Sequence, residues 1–574
     1  MSRAEMDRLG WAELDVLIIT GDAYVDHPAF GAALLGRWLV VHGYRVGIVA
    51  QPRWNTAEGI LAMGAPRLFV GVTAGALDSM LAHYTAFRKK RTDDAYTPGG
   101  RAGARPNRAT VVYANLARAA FPHVPVVIGG IEASLRRATH YDFWSGQVRR
   151  SILLDSKADL LVYGMAERAI LEIAGRLDAD HPLHGIHGTA FVAPAGSFDF
   201  SDDMPVLRLP SHEEIEADPK KLMSSTLMLE RQVHHGVEWA VQAVGSREVV
   251  FAPPAEPLST KELDSAYALP FTRRPHRRYK QPIPAAEMIQ FSVTTHRGCA
   301  GGCSFCSLAL HQGRHIRSRS AGSILSEVRG MADSHDWKGS ITDVGGPSAN
   351  MWGARCGSDP AKCKRTSCLH PDVCRNFKPG QKQLVELLEA IERLPRVRHV
   401  RVASGIRHDL ALREPEYVKA LVGRFTGGQL KIAPEHICSR VLRLMRKASF
   451  AAFLDFMTMF ERVSRSGRKE QYLVPYLMSA FPGCTDDDMR ELARWLKSKG
   501  WRPEQVQCFI PTPGTVATAM YYAGIDTEGN PIHVARTDAE RLRQHYILAP
   551  PPQIRAAKRA GRHPATREQP PSNR

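Results

Sequence analysis

The sequence predicts an α/β protein in two parts: a Rossmann-like domain followed by a partial (β/α)6 barrel. Apolar runs of strand length alternate with helical stretches over residues 1–200, the mark of a parallel sheet with covered faces. The alternation resumes after residue 286 and continues to about residue 545. At the start of this second series, a glycine-rich loop carries three close cysteines where α/β folds place ligand sites, after the carboxyl end of a strand.

In the first domain, Leu14–Thr20 reads as a buried strand and residues 29–44 as a helix that stops near Gly43. Further strands are expected at 45–50, 68–72, 110–113, 124–128 and 159–163. Residues 93–108 are polar and rich in Gly and Pro, and so read as a loop. Residues 201–285 form a connecting segment, partly helical over 221–244 and extended over 251–257. Its last part, 270–285, is too Pro-rich for helix and bridges the halves. The second domain spans 286–545. Its strands are expected at 288–295, 340–346, 399–404, 429–433, 472–478 and 506–511, with helices between them. Residues 546–574 read as a basic disordered tail.

Composition bounds the function. At 44% hydrophobic and 23% charged residues, the chain is ordinary for a globular protein. No apolar run reaches 18 residues, so no membrane span or membrane partner is expected. The first 15 residues include acidic side chains and lack a signal-type apolar core, which makes the cytoplasm the expected location. All ten cysteines lie after residue 298, which fits metal chemistry in a reducing compartment better than a disulfide framework. The net charge of +18 is compatible with nucleic acid or an acidic substrate. Much of it is local, however, as at Arg273, Arg274, Arg277, Arg278 and Lys280, and such blocks often mark solvated segments.

The chemistry concentrates at Cys299, Cys303 and Cys306, a C-x3-C-x2-C triplet. Thiolates are soft ligands for iron–sulfur clusters and zinc. Three of them on a four-iron cluster leave one iron open to a chelating small molecule. Gly298, Gly301 and Gly302 let the backbone wrap closely, and Phe305 adds an aromatic surface. A zinc ion would need a fourth ligand, for which His296, His311 and His315 are in range. A second group, Cys356, Cys363, Cys368 and Cys374, sits on a polar insertion and suits a second iron–sulfur cluster or structural zinc. Cys438, Cys484 and Cys508 are isolated.

The triplet, with Phe305 before its third cysteine, resembles the C-x3-C-x-aromatic-C signature of the radical S-adenosylmethionine (SAM) superfamily. Residues 297–320, GGPSANMWG (345–353), the four-cysteine insertion, SGIRHDL (404–410), KIAPEH (431–436) and VPYLMSAFPGCT (474–485) make the chain similar to the YgiQ family of radical SAM proteins. The resemblance implies a [4Fe–4S] cluster on Cys299, Cys303 and Cys306 whose open iron is chelated by SAM. One electron then cleaves SAM to methionine and a 5′-deoxyadenosyl radical, which takes a hydrogen atom from substrate. The electron would come from a donor such as flavodoxin or ferredoxin; the substrate, small molecule or macromolecule, is not implied.

Gly345 and Gly346 resemble the superfamily's GGE segment that meets the SAM amino group, although Pro347 replaces the acid. Ser404 and Arg407 suit the ribose and carboxylate of SAM; Glu435, with Lys431 and His436 beside it, is a further contact candidate. One of Arg314, Arg317 and Arg319 is a candidate to neutralise the SAM carboxylate. The first domain looks like the cobalamin-binding type, but Asp26, His27 and Gly31 read D-H-x-x-x-G where cobalamin ligation needs D-x-H-x-x-G, which speaks against cobalamin. Two other functions fit the residues: a radical methylthiotransferase acting on RNA or protein, and a zinc-stabilised nucleic-acid-binding protein.

Overall fold

In a computed structural model, residues 2–201, 203–503 and 505–550 are described. The tail expected over 546–574 therefore lies outside the described residues from 551 onward.

Five parallel strands build the first half of the N-terminal sheet, in the spatial order Val46–Ala50, Leu14–Thr20, Pro66–Thr73, Val126–Gly129 and Leu160–Val162. Every residue of Leu14–Thr20 is buried, because helices cover both faces of the sheet. Asp15 is tolerated inside this run because Arg45 at 2.8 Å and Arg67 at 2.9 Å pair with it. The order reverses between the first and third strands in sequence, Leu14–Thr20 and Pro66–Thr73. Such a reversal leaves a crevice at the strand carboxyl ends. The sheet continues through Thr189–Pro194 and then, past residue 200, through Arg247–Phe251, Trp239–Val244 and Val206–Arg208, so the segment expected to connect the halves contributes three strands to it.

Three local expectations need correction. Residues 110–113, expected as a strand, lie in the helix Ala109–Ala120, whose buried Thr110, Tyr113, Ala114 and Ala117 repeat with helical spacing. The β-branched residues near its start do not outweigh that stripe. The helix expected over 221–244 is Pro219–His235; Gly236, at φ 77°, stops it, and Trp239–Val244 is a strand. The lead-in expected as a strand over 288–295 opens with the helix Pro284–Ile289 and leaves only Ser292–Thr294 extended.

Six strand positions form the barrel arc. Ser292–Thr294 pairs in parallel with Asp343–Gly345, and Ser340–Ile341 with His399–Val400. Ile406 bridges to Ile432, and Gln429–Glu435, Tyr472–Ser479 and Gln505–Cys508 complete the arc, all parallel. Its core packs Val293, Ile341, Val344, Val400 and Ile432 against Tyr417, Phe425, Phe453 and Phe456 of the outer layer. The carboxyl ends of these strands face those of the N-terminal sheet.

Candidate active site between two sets of strand ends

The two strand-end faces enclose a cavity of about 490 Å³. From the N-terminal sheet come Thr20, Asp22, Thr73 and Gly129; from the barrel come Thr294, Gly345, Gly346 and Ser404. Between the sheet and its helices the cavity extends past Ile18, Gly71 and Val127 to Ala32 and Leu35. It therefore occupies the crevice that the strand order creates, with the barrel as its lid.

Acidic groups in the wall are paired. Asp22 is fully buried, and Arg105 lies 2.9 Å from it and 2.9 Å from Asp94. Burial outweighs that guanidinium and pushes the Asp22 carboxyl up to about 6. Glu167 from the N-terminal domain meets Arg297 of the cysteine loop at 2.5 Å. Asp343 accepts hydrogen bonds from the Ser404 hydroxyl and, at 3.0 Å, from its backbone N–H. His296 and His311 complete the polar wall; burial holds each imidazole neutral, down to about 4. The His311 Nδ1 lies 3.2 Å from Ser134 Oγ, across the domain boundary.

The cysteine loop closes at its base, where His296–Arg297 pairs antiparallel with Arg317–Ser318. Gly298 sits at φ 85°, and a Cβ there would meet His315 O at 2.3 Å, so only glycine lets the loop turn this way. A Cβ on Gly301 would stand 3.4 Å from Cys299 Sγ and 3.7 Å from Cys303 Sγ, so two thiols border the side that glycine leaves open. Burial, then the neighbouring thiols Cys303 and Cys299, pushes the Cys306 thiol up to about 12. Burial and Cys303 raise Cys299 as well. With Cys299 and Cys306 disfavoured as lone anions and Cys303 beside them, the three thiols suit a polynuclear cation, which relieves that cost. The donor set therefore fits an iron–sulfur cluster. Among the described residues, no three His, Cys, Asp or Glu side chains converge as ligands of a single ion, so His296, His311 and His315 do not complete a zinc shell with these thiols.

The expected SAM contacts divide into two groups. Gly345, Gly346 and Ser404 line the cavity. Arg407 and Glu435 stand by the thiols: Arg407 Nη1 is 3.6 Å from Cys303 Sγ, and Glu435 lies 3.7 Å from Lys447, whose charge also reaches Cys299 and Cys306. Glu435 holds φ 67°, a left-handed conformation that costs about 1–3 kcal/mol for a non-glycine residue and clusters at functional sites. Lys431 is exposed, on the strand face opposite Leu430 and Ile432, and His436 is buried 3.6 Å from Cys484 Sγ. Of the three arginines after the loop, Arg319 pairs with Glu327, Arg317 lies in the short ladder, and Arg314 reaches the second cysteine group. His27 is buried against Arg273, and Asp26 is held by Arg37 and Thr272, so neither offers its side chain to the cavity.

The sequence reading missed Asp409, Lys447 and Glu167. Asp409 follows Arg407 by two residues and was visible as a charge pair. Lys447 and Glu167 reach the site only through the fold.

Comparison with known proteins agrees with this geometry. The sequence profile named Radical SAM N-terminal matches residues 1–292, and that of the Radical SAM superfamily matches residues 293–496. A UPF0313 protein of Geobacter sulfurreducens is 52% identical over 96% of this chain and 91% of its own length. A UPF0313 protein of Rhodopseudomonas palustris is 45% identical over 95% of this chain and 84% of its own length. Among solved structures, the radical SAM methyltransferase TsrM from Kitasatospora setae, with tryptophan substrate and aza-SAM bound, aligns with a TM-score of 0.51 at 14% identity. That alignment covers 90% of this chain and 84% of TsrM, and a second TsrM structure, with cobalamin and a [4Fe–4S] cluster bound, aligns equally well. At this identity the likeness is one of fold.

Proposed function

The chain belongs to the UPF0313 family of radical SAM proteins, in keeping with its resemblance to the YgiQ family, and we propose that it acts on a substrate held in the cavity between its two domains. It is a radical SAM enzyme, and its cofactors are a [4Fe–4S] cluster and SAM. When bound, these supply one-electron cleavage of SAM and hydrogen-atom abstraction from substrate.

In this reading, Cys299, Cys303 and Cys306 would hold the cluster, with Arg407 and Lys447 balancing its charge. Gly345, Gly346, Ser404, Arg407 and Glu435 would hold SAM between the thiols and the cavity. Asp343 orients the Ser404 hydroxyl, and Asp409 orients Arg407. The Glu167–Arg297 pair fixes the N-terminal domain over the strand ends and helps exclude water. The observation that carries the reading is the single cavity shared by both sets of strand ends, with residues on either side of the cysteine loop in its wall.

No helix among the described residues is long and apolar enough to cross a membrane. All ten cysteines are free, which supports a reducing, cytoplasmic setting; the electron would come from a donor such as flavodoxin or ferredoxin.

Anaerobic reconstitution tests the proposal. Reduced wild-type protein should give an electron paramagnetic resonance (EPR) signal that changes when SAM is added, and should release 5′-deoxyadenosine. The C299A/C303A/C306A variant should do neither. Reconstituted wild-type protein without iron, or with a signal indifferent to SAM, would overturn it.

A further inference from the structure

The insertion after the second barrel strand carries four cysteines that the reaction above does not use. Its backbone gathers them. Arg355–Cys356 pairs antiparallel with Phe377–Lys378, so Cys356 stands opposite Phe377. The Phe377 N–H bonds Cys374 O at 3.0 Å, and the Cys374 N–H bonds Cys368 O at 2.7 Å. Cys363 ends the short turn Pro360–Lys362 on the same insertion. None of the four is in a disulfide.

The insertion lies directly on the first cysteine loop. The Cys368 N–H bonds Ala300 O at 3.1 Å, and Ser367 Oγ donates to Gly301 O at 2.5 Å. A Cβ on Gly302 would meet Thr366 O at 2.6 Å, so that glycine permits the close approach. Arg314 joins the two: its Nη1 donates to Arg365 O at 2.8 Å, and its Nη2 lies 3.7 Å from Cys368 Sγ. The inner end, at Cys368, is buried; the outer end, at Cys356, is exposed. Around that outer end, Arg355, Lys362, Lys364, Arg375 and Lys378 are exposed against the exposed acids Asp359 and Asp372.

We propose that Cys356, Cys363, Cys368 and Cys374 bind a second iron–sulfur cluster, and that the basic surface round it receives an acidic one-electron carrier protein. Four thiolates satisfy such a cluster completely, leaving no iron for SAM. Zinc is the poorer match, because the spacing of the four cysteines, with six, four and five residues between them, is looser than that of most zinc modules. The excess of exposed cations selects an acidic carrier by charge. One electron leaves the reduced carrier, passes through the second cluster and reduces the cluster at Cys299, Cys303 and Cys306. No bond is made or broken, and no proton moves. The relay rests on the radical SAM reading; binding of the second cluster does not.

The two parts separate by experiment on the full chain. Anaerobically reconstituted C299A/C303A/C306A should retain about four irons per chain and give a reduced EPR signal that SAM does not change. If this variant folds by circular dichroism yet holds no iron, or holds only zinc, the second cluster is overturned. Should the triple alanine variant fail to fold, the C299S/C303S/C306S variant, read the same way, decides. Conversely, C356S/C363S/C368S/C374S should lose about half the wild-type iron while its remaining signal still responds to SAM; unchanged iron content overturns the site. For the relay, the ratio of SAM cleavage driven by reduced flavodoxin to that driven by dithionite should fall at least tenfold in this quadruple variant. An unchanged ratio overturns the relay. An unresponsive wild-type signal would instead indict the radical SAM reading.

Discussion

Arg407 Nη1 lies 3.6 Å from Cys303 Sγ while its Nη2 is held 2.6 Å from Asp409, so one guanidinium joins a thiol to a buried carboxylate. Burial opposes ionisation of both partners, but their mutual attraction wins: Arg407 is held above its usual range and Asp409 well below the usual carboxylate range. An Asp409→Asn substitution keeps the shape and removes one negative charge. The cluster site then faces an unbalanced cation, which favours the reduced state. The reduction potential should therefore move upward in an EPR-monitored titration. Stability should fall by about 3–5 kcal/mol, the usual cost of breaking a buried pair. A potential unchanged in D409N would separate Arg407 from the cluster.

How far the sequence exposed this arrangement depends on range. The thiol loop, Gly345–Gly346 and the Ser404–Arg407 segment are short motifs, each legible because its chemistry lies within a few residues. The N-terminal strands were legible because parallel strands buried on both faces read as continuous apolar runs, as in Leu14–Thr20. At residues 110–113 the same criterion failed, since the buried positions Thr110, Tyr113, Ala114 and Ala117 follow the helical repeat while Val111 and Val112 are only half-buried. Glu167 and Arg297 are 130 positions apart, and no local pattern links them. Nor could spacing divide the SAM candidates between the cavity wall and the thiol side: Ser404 and Arg407 follow the same strand, yet the first lines the cavity and the second meets Cys303.

The Glu167–Arg297 pair joins the two domains with both side chains nearly inaccessible to solvent. Removing the carboxylate strands a buried guanidinium. A Glu167→Ala substitution should cost about 3–5 kcal/mol, lower the melting temperature, and speed proteolysis between the domains. A melting curve that superimposes on that of the wild type would mean that the pair does not secure the interface.

His311 gives the cavity wall a pH signature. Burial lowers its folded pKa to about 4 from the ordinary 6.5. Between these values the unfolded chain takes up a proton that the folded chain does not. The stabilisation is therefore complete above pH 6.5 and is lost as pH falls toward 4, at about 1.4 kcal/mol per pH unit. Asp22 acts in the opposite sense: its raised pKa of about 6 means that the folded state holds a proton there more tightly than the unfolded chain does. Its term thus weakens the fold as pH rises from about 4 to 6. In His311→Gln, the slope of unfolding free energy against pH should decrease by about one proton between pH 4.5 and 6. An identical slope in the two proteins would show that His311 titrates normally.

The cavity itself can be blocked at Gly71, which lines it from the strand Pro66–Thr73. A Cβ there would have no neighbour nearer than 3.7 Å, so a side chain can be added without a backbone clash. Phenylalanine would extend into the space between the sheet and Ala32, remote from the thiols. With reduced wild-type enzyme and SAM, a cell-extract fraction containing the substrate should stimulate 5′-deoxyadenosine release and exchange deuterium into a product. In Gly71→Phe that stimulation should fall at least tenfold while the iron content per chain holds, and Gly71→Ala should stay close to wild type. The split matters because a general folding defect would lower iron and stimulation together. Full stimulation in a well-folded Gly71→Phe protein would move the substrate out of this part of the cavity.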